Sequence, residues 1–167
     1  LDGLSFAGAY TNDAFAIQLG YLIAGEAYAG FDFTGVENLT ANAEAYIQNI
    51  GVEDSSVFTT LTQTIGYSFG DIYAGILCTE EIDTAEDAKP LVCLEPAVEY
   101  AANDNVLLYL GAGFTLCDGF DSFYVNPGLC YSITEDVWFD FGYTYDSAEG
   151  AADNSIHLPY PSPHDGA

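Results

Sequence analysis

Five carboxylates are the side chains of this sequence best placed to do chemistry. They are Asp32, Glu44, Glu95, Glu99 and Asp140. Each lies in a segment where apolar and polar residues alternate, and each falls in the polar row. Alternation with period two predicts β-strands with two unlike faces. We therefore expect all five carboxylates on the polar face of one sheet.

This polar face offers the five acids almost no basic partner, because the chain has one Lys or Arg residue against 26 Asp and Glu. Buried carboxylates without a counter-ion must be solvated, protonated or metal-bound. Two interpretations follow. Either each acid is hydrogen-bonded to Thr, Ser, Gln or Tyr in a hydrated filling, or the acids form a conduit or site that prefers cations. No two of them have the features of a glycosidase acid pair.

Four cysteines, Cys78, Cys93, Cys117 and Cys130, flank two segments that read as loops, 79–92 and 118–129. Cysteines on consecutive strands at one end of a sheet can meet the separation that a disulfide prefers. We predict bridges Cys78–Cys93 and Cys117–Cys130, with the other connectivities and free thiols as alternatives. The spacing lacks the close Cys-x₂-Cys pairs of a zinc site. An even cysteine count agrees with an oxidising compartment.

The acidic run at 80–87 is the one candidate for a metal site in a loop. Its acids are Glu80, Glu81, Asp83, Glu86 and Asp87. They lack the order of an EF-hand, so a solvated loop is the simpler interpretation and a Ca²⁺ site the alternative. No other cofactor is expected. The sequence contains no phosphate-binding glycine loop, zinc-protease motif or nucleophile elbow, so we predict no enzymatic activity.

The elements that must position these residues are extended segments with an unusual polarity. Along Val106–Cys117 one row is apolar, while the other is small or mildly polar; Val137–Asp146 repeats this split. The polar row is rich in Gly, Ser and Thr and nearly free of long charged side chains. This pattern is typical of a closed barrel whose outer face contacts lipid. We predict an all-β, antiparallel, up-and-down β-barrel of roughly 8–12 strands, with short turns at one end and longer loops at the other.

The domain organisation is simple. We expect residues 1–154 to form the barrel and residues 155–167 to form an extended, Pro-rich tail. No run of 18 or more apolar residues predicts a membrane-spanning helix. The absence of Met, including at position 1, is what a mature chain with a cleaved signal peptide would show.

The formal charge of −25 excludes some partners. Nucleic acids are bound through Lys and Arg contacts to phosphate, so we expect no nucleic-acid partner. The acidity is explained by a high-salt or acidic habitat, by solubility, or by attraction of cations such as Ca²⁺.

Two segments carry a family resemblance. The run Tyr124–Tyr145 resembles the closing hairpin of bacterial outer-membrane β-barrel proteins of the small porin-like and opacity types, and Leu108–Phe114 resembles the strand before it. The resemblance implies an antiparallel barrel, an outer-membrane location and no catalytic residues. We therefore expect a structural role or passive permeation, with cations favoured by the acidic interior and the lipid bilayer as the partner of the apolar face.

A different class of function uses the same pattern. A secreted, disulfide-tied acidic protein could assemble with like subunits into a surface layer or filament, bridged by Ca²⁺, with its apolar face as the subunit interface. Its location would be extracellular, at the cell surface, and it would be a homo-oligomer. A soluble carrier of the lipocalin kind is a third interpretation, and it requires the Phe and Tyr rows to point inward.

Overall fold

Strands follow the alternation of side chains along the whole described chain. The computed structural model describes residues 4–134 and 137–148. Within these ranges there are eleven β-strands and no helix. The strands are β1 (Ser5–Thr11), β2 (Phe15–Leu22), β3 (Glu26–Phe33), β4 (Leu39–Gln48), β5 (Phe58–Phe69), β6 (Ile72–Asp83), β7 (Leu91–Asn103), β8 (Val106–Cys117), β9 (Phe120–Thr134), β10 (Val137–Gly142) and β11 (Tyr145–Asp146).

All strands belong to one antiparallel sheet in which each strand pairs with the next along the chain, from β1 to β10. The short β11 also pairs with β9, in the register of β10, so β10 and β11 are two parts of one last strand. The predicted all-β, antiparallel, up-and-down architecture is confirmed, and ten strands lie within the predicted range. Among the described residues β1 pairs only with β2 and β10 only with β9, so the ladder there is an open one.

Connections alternate between two rims of the sheet. The short-turn rim carries the connections 12–14, 34–38, 70–71 and 104–105, and the loop rim carries 23–25, 49–57, 84–90 and 118–119. The two longest connections share the loop rim, as predicted. Both loops predicted between the cysteines are shorter than expected. The loop 79–92 is reduced to 84–90, because β6 continues through Asp83. The loop 118–129 is reduced to a two-residue turn, because Asp118 and Gly119 both take positive φ angles and β9 begins at Phe120.

Strand register sorts the side chains into two faces. Cross-strand partners share a face, so the pairs Gly30–Glu44, Glu44–Thr62 and Thr62–Thr79 place one row together from β3 to β6. We call this row and its continuation the polar face. The opposite row, the apolar face, includes Ile17, Leu19, Phe31, Ile65, Ile76, Val98, Leu110, Phe114, Phe139 and Phe141.

From β5 onward the exposed side chains lie mainly on the apolar face, in the opposite sense to a soluble sheet, whereas on β4 the exposed residues Thr40, Glu44 and Tyr46 lie on the polar face. Every exposed residue of β5 and β6 belongs to the apolar face. On the last strands Leu110, Phe139 and Phe141 are 52%, 50% and 65% exposed. No apolar side chain is fully buried anywhere in the described residues. The fold is therefore a single-layered sheet without an apolar core among the described residues.

No helix of the described ranges is long and apolar enough to cross a membrane.

Candidate functional site

The five predicted carboxylates do share the polar face, but they are spread along it. Asp32 and Glu44 lie on β3 and β4, where they face Asn42 and Gly30. Glu95 and Glu99 lie on β7, and Asp140 lies on β10 opposite Cys130. The structure therefore confirms their common side and does not gather them into one cluster.

Asp140 is held by a tyrosine from two strands away. The Tyr109 hydroxyl, on β8, donates a hydrogen bond of 2.6 Å to Oδ1 of Asp140 on β10. The ring crosses β9 directly over Gly128 and places its hydroxyl 2.6 Å from where a Cβ of Gly142 would stand. A larger residue at either glycine would occupy the space of the ring.

Glu95 is held in the same way, in the opposite direction along the sheet. The Tyr124 hydroxyl, on β9, donates to Oε1 of Glu95 on β7. Its ring lies over Gly113 on the intervening β8, and Gly113 is one of the few buried residues in the described part of the chain. We call the pairs Tyr109–Asp140 and Tyr124–Glu95 the tyrosine braces. Each brace ties three consecutive strands together through side chains.

Related contacts extend this pattern across the polar face. The hydroxyl of Tyr28 lies over Gly30 and interacts with Glu44. The ring of Tyr73 lies over Gly66 and Gly75. Glycine in a strand has no side chain to cover, so an aromatic ring can lie flat on the backbone there and shield it from water. Tyrosines and glycines thus build the surface in which the carboxylates sit.

Two prolines interrupt the backbone ladder close to the braces. Pro127 accepts a hydrogen bond of 3.0 Å from Tyr143 N–H but has no N–H to return, and the last strand is broken there between β10 and β11. On β7 the residues Glu95 and Pro96 have no partner in the β7–β8 ladder. Each brace crosses the sheet beside one of these breaks. The side chains therefore supply cross-strand bonds where the backbone lacks them.

The predicted disulfides are absent. All four cysteines are free thiols. Cys78 lies on the apolar face opposite Leu94, whereas Cys93 lies on the polar face opposite Thr79, so their side chains point to opposite sides of the sheet.

The second predicted pair fails for a different reason. Cys117 ends β8 at the loop rim, while Cys130 pairs with Leu107 near the short-turn rim. Because the turn at 118–119 is only two residues long, Cys117 lies at one end of this hairpin and Cys130 lies near the other end. Their Cα atoms are therefore much farther apart than the ~7 Å limit for a disulfide.

The structure divides the acidic run 80–87 between the end of β6 and the connection that follows it. β6 extends through Asp83, and its alternation places Glu80 on the apolar face and Glu81 on the polar face. Within residues 4–134 and 137–148 no group of three or more His, Cys, Asp or Glu residues is arranged to hold a metal ion. The predicted Ca²⁺ ligands Glu86 and Asp87 lie beyond the strand, in the 84–90 connection.

The loop rim has its own hydrogen bonds. Ala85 N–H donates 2.9 Å to Asp83 Oδ1, and Val57 N–H donates 2.9 Å to Thr84 Oγ1. A hydrogen bond from the Ser56 side chain, and then the one from Ala85 N–H, hold the pKa of Asp83 below its usual range. Lys89, the one Lys or Arg residue of the sequence, also lies here and forms an exposed ion pair with Asp118. The polar face of the strands therefore carries acids and no base.

The braces were missed by sequence reasoning, although a signal existed. Tyr109 and Tyr124 are large aromatic residues in a row that otherwise holds Gly, Thr and Asn. A large ring in a small-residue row indicates that it covers a neighbour. Identifying the neighbour requires the register between strands, which composition alone does not give.

No protein-family model, curated protein or solved structure matches the chain. The polar face with its braces and the exposed apolar face are the features from which a function has to be inferred.

Proposed function

We propose that this chain is an outer-membrane β-barrel protein without enzymatic activity, with a structural or passive, cation-favouring role. Its apolar face contacts lipid and its polar face lines the interior. The alternative partner for the apolar face is a like subunit in a secreted surface assembly.

The observation that carries the proposal is the exposure of large apolar side chains on the apolar face from β5 to the last strand. A soluble sheet buries its apolar row and exposes its polar row. Here large side chains such as Ile65, Leu110 and Phe141 are more than half exposed, while the polar face is covered by tyrosine rings. Exposed apolar surface of this extent marks a membrane or protein interface. In a bilayer the same row is stabilised, because lipid replaces water around it.

Two polar residues of the apolar face mark one limit of the proposed lipid-facing band, the limit toward the loop rim. Glu80 on β6 and Gln63 on β5 interrupt the row toward the loop rim. Ionised side chains are costly on a lipid-facing strand unless they lie near an interface. The band therefore extends from the short-turn rim to the level of Gln63, and the loop rim with Asp83 lies outside it.

Cation preference follows from the one-signed charge of the polar face. Glu95, Glu99 and Asp140 lie there, and Lys89 is at the loop rim, already paired with Asp118. Rings of acidic side chains favour cations over anions in a pore. A barrel of about eight strands is filled by its own side chains, so ten strands give a narrow interior.

The location is tested by extracting the protein with and without detergent, and with and without a chelator. The membrane barrel predicts solubility only in detergent or lipid and a heat-dependent change in gel mobility. Release into water by the chelator alone would overturn the proposal in favour of a Ca²⁺-bridged assembly. Solubility as a monomer in plain buffer would support the soluble carrier instead.

Permeation is tested by reconstitution into planar bilayers under a KCl gradient. We expect a reversal potential that reports K⁺ selectivity and moves toward zero in Glu99→Gln, which removes a charge from the polar face. The matched control is Glu53→Gln, an exposed acid in the 49–57 connection. Anion selectivity, or an equal change in both variants, would contradict an acidic interior. Absence of any conductance would leave only the structural role.

A further inference from the structure

Within residues 4–134 and 137–148 the two outermost strands have free edges, and neither edge carries the usual protection against pairing. β1, Ser5–Thr11, contains no charged residue and no proline, and β10 contains one charged residue, Asp140, which lies on the polar face. Soluble proteins commonly block such edges with Lys, Pro or a covering loop. All residues of β1 are exposed. Both edges are therefore open to a further strand.

We propose that β1 pairs with β10 of the same chain in one particular register, with Gly8 opposite Phe139. This inference rests on the proposed membrane barrel and specifies how it closes. Ten strands alternating in direction leave β1 and β10 antiparallel, so the closed ladder is antiparallel throughout.

Sidedness restricts the register to every second residue. Phe6 and Tyr10 lie on the apolar face of β1, and Val137, Phe139 and Phe141 lie on that of β10. A shift of one residue would place the phenylalanines on the polar side of the seam. Of the registers that keep both faces continuous, the one with Phe6 opposite Phe141 and Tyr10 opposite Val137 pairs every residue of β10.

The stagger of the sheet, which is the number of residues by which the ladder is offset after one passage around the barrel, agrees with this register. A line followed from partner to partner across the ladder starts at Tyr10 and ends at Ser147, on the last strand. It passes through Ile17, Phe31, Ala43, Gln63, Cys78, Leu94, Phe114 and Phe123.

Closure places Tyr10 opposite Val137 instead, ten residues before Ser147 on the last strand. In an eight-stranded barrel with a shear of eight residues, the stagger equals the number of strands, and the strands tilt by about 36° from the barrel axis. Ten strands with a ten-residue stagger have the same ratio, and the tilt falls in the common range of about 35–45°.

The polar side of the seam also fits. This register places Ala7 opposite Asp140 and Ser5 opposite Gly142. Small side chains from β1 leave the carboxylate of Asp140 free to keep its bond from Tyr109. The brace and the seam are therefore compatible in one closed wall.

The test uses paired cysteines in a variant whose four native cysteines are replaced by serine. Gly8→Cys with Phe139→Cys is compared with Gly8→Cys with Phe141→Cys, which lies on the same face one pair further along. Directly opposite Cβ atoms are about 4.5–5.5 Å apart and diagonal ones about 7–8 Å, so a short thiol cross-linker should react at least about tenfold faster with the first pair. The product should be a monomer on a denaturing gel.

Three other outcomes would overturn the proposal. Faster reaction of the Phe141→Cys pair would mean a different register, and cross-linked dimers would mean that the edges join separate copies. No cross-link in protein that still resists extraction from lipid would mean open edges. Membrane retention is measured on the same samples, so failure of insertion is a separate result. Hydrogen exchange at β1 in the unaltered chain gives a second readout, because a paired β1 should be protected as strongly as β2.

Discussion

At the scale of single residues, the polar face is organised by tyrosines that lie on glycines and reach carboxylates. Tyr109 and Asp140 are 31 positions apart in sequence and two strands apart in the sheet, and their hydrogen bond is 2.6 Å long. Hydrogen bonds to a charged acceptor contribute about 1.5–3 kcal/mol. The brace is thus worth about as much as two ordinary ladder bonds.

Removing the hydroxyl of Tyr109 should therefore weaken the fold. We expect Tyr109→Phe to lower the free energy of unfolding by about 1–3 kcal/mol, because Asp140 is left without its donor. Tyr131→Phe is the matched control, since Tyr131 is an exposed tyrosine of the apolar face on the next strand. Unfolding in urea from detergent micelles measures both. Equal effects would show that Tyr109 acts only through its ring.

The glycines under the rings allow a second comparison. A Cβ at Gly128 would overlap the Tyr109 ring, whereas at Gly111 the nearest atom is the backbone oxygen of Asn126 at 3.9 Å. We expect Gly128→Ala to destabilise by about 1–3 kcal/mol, as overpacking does. Gly111→Ala should be neutral or slightly stabilising, because alanine loses less backbone entropy. The same urea titration distinguishes them, and a neutral Gly128→Ala would contradict the position of the ring.

At the scale of elements, the strands were largely predictable and their pairing was not. The alternation along Val106–Cys117 predicted β8 to the residue. The start of β9 was mispredicted because Asp118, Gly119 and Asp121 together read as a long turn, when two positive φ angles suffice to reverse the chain. The predicted Cys117–Cys130 bridge failed with it, because most of the expected loop 118–129 belongs to β9.

The proline break in the last strand gives an element-scale prediction. Pro127→Ala restores an N–H at the position where β10 and β11 separate, next to the existing bond from Tyr143. We expect slower hydrogen exchange at residues 142–145, with β5 unchanged as an internal control. If exchange there does not slow, the break has a cause other than the missing donor.

The loop rim gives a pH dependence of known sign. The pKa of Asp83 is lowered by its hydrogen bonds from Ser56 and Ala85. A lowered folded-state pKa contributes stability above the unfolded pKa of about 3.9, and that contribution is lost as the pH falls through the folded pKa. We expect Ser56→Ala to move the Asp83 carboxyl titration, followed by NMR, to higher pH. Glu53→Gln should leave it in place.

At the scale of the whole molecule, sidedness was predictable because it repeats in every strand, while the braces, the free edges and the free thiols depend on register. The acidic excess is a molecular property as well. Self-repulsion of a formal charge of −25 opposes a compact state. Salt screens such repulsion, with a Debye length of about 30 Å at 0.01 M and about 8 Å at physiological ionic strength.

Stability should therefore rise with salt. We expect the thermal unfolding midpoint to increase when the ionic strength is raised from about 0.01 M to about 0.15 M at neutral pH. At a pH near 4, where many carboxylates are protonated, the same change in salt should have a smaller effect. Calorimetry in a non-ionic detergent measures both. A midpoint that falls with salt at neutral pH would indicate that attractive ion pairs dominate.

A protein that consists of one sheet has no interior in which apolar side chains can pack against one another. From the tyrosine rings on one side to the phenylalanines on the other, the described side chains are all at least partly exposed to their surroundings. The material around it takes the place that a core has in other proteins. The melting temperature then depends on the surrounding amphiphile as well as on the chain. The same sequence should therefore melt at different temperatures in amphiphiles of different tail length.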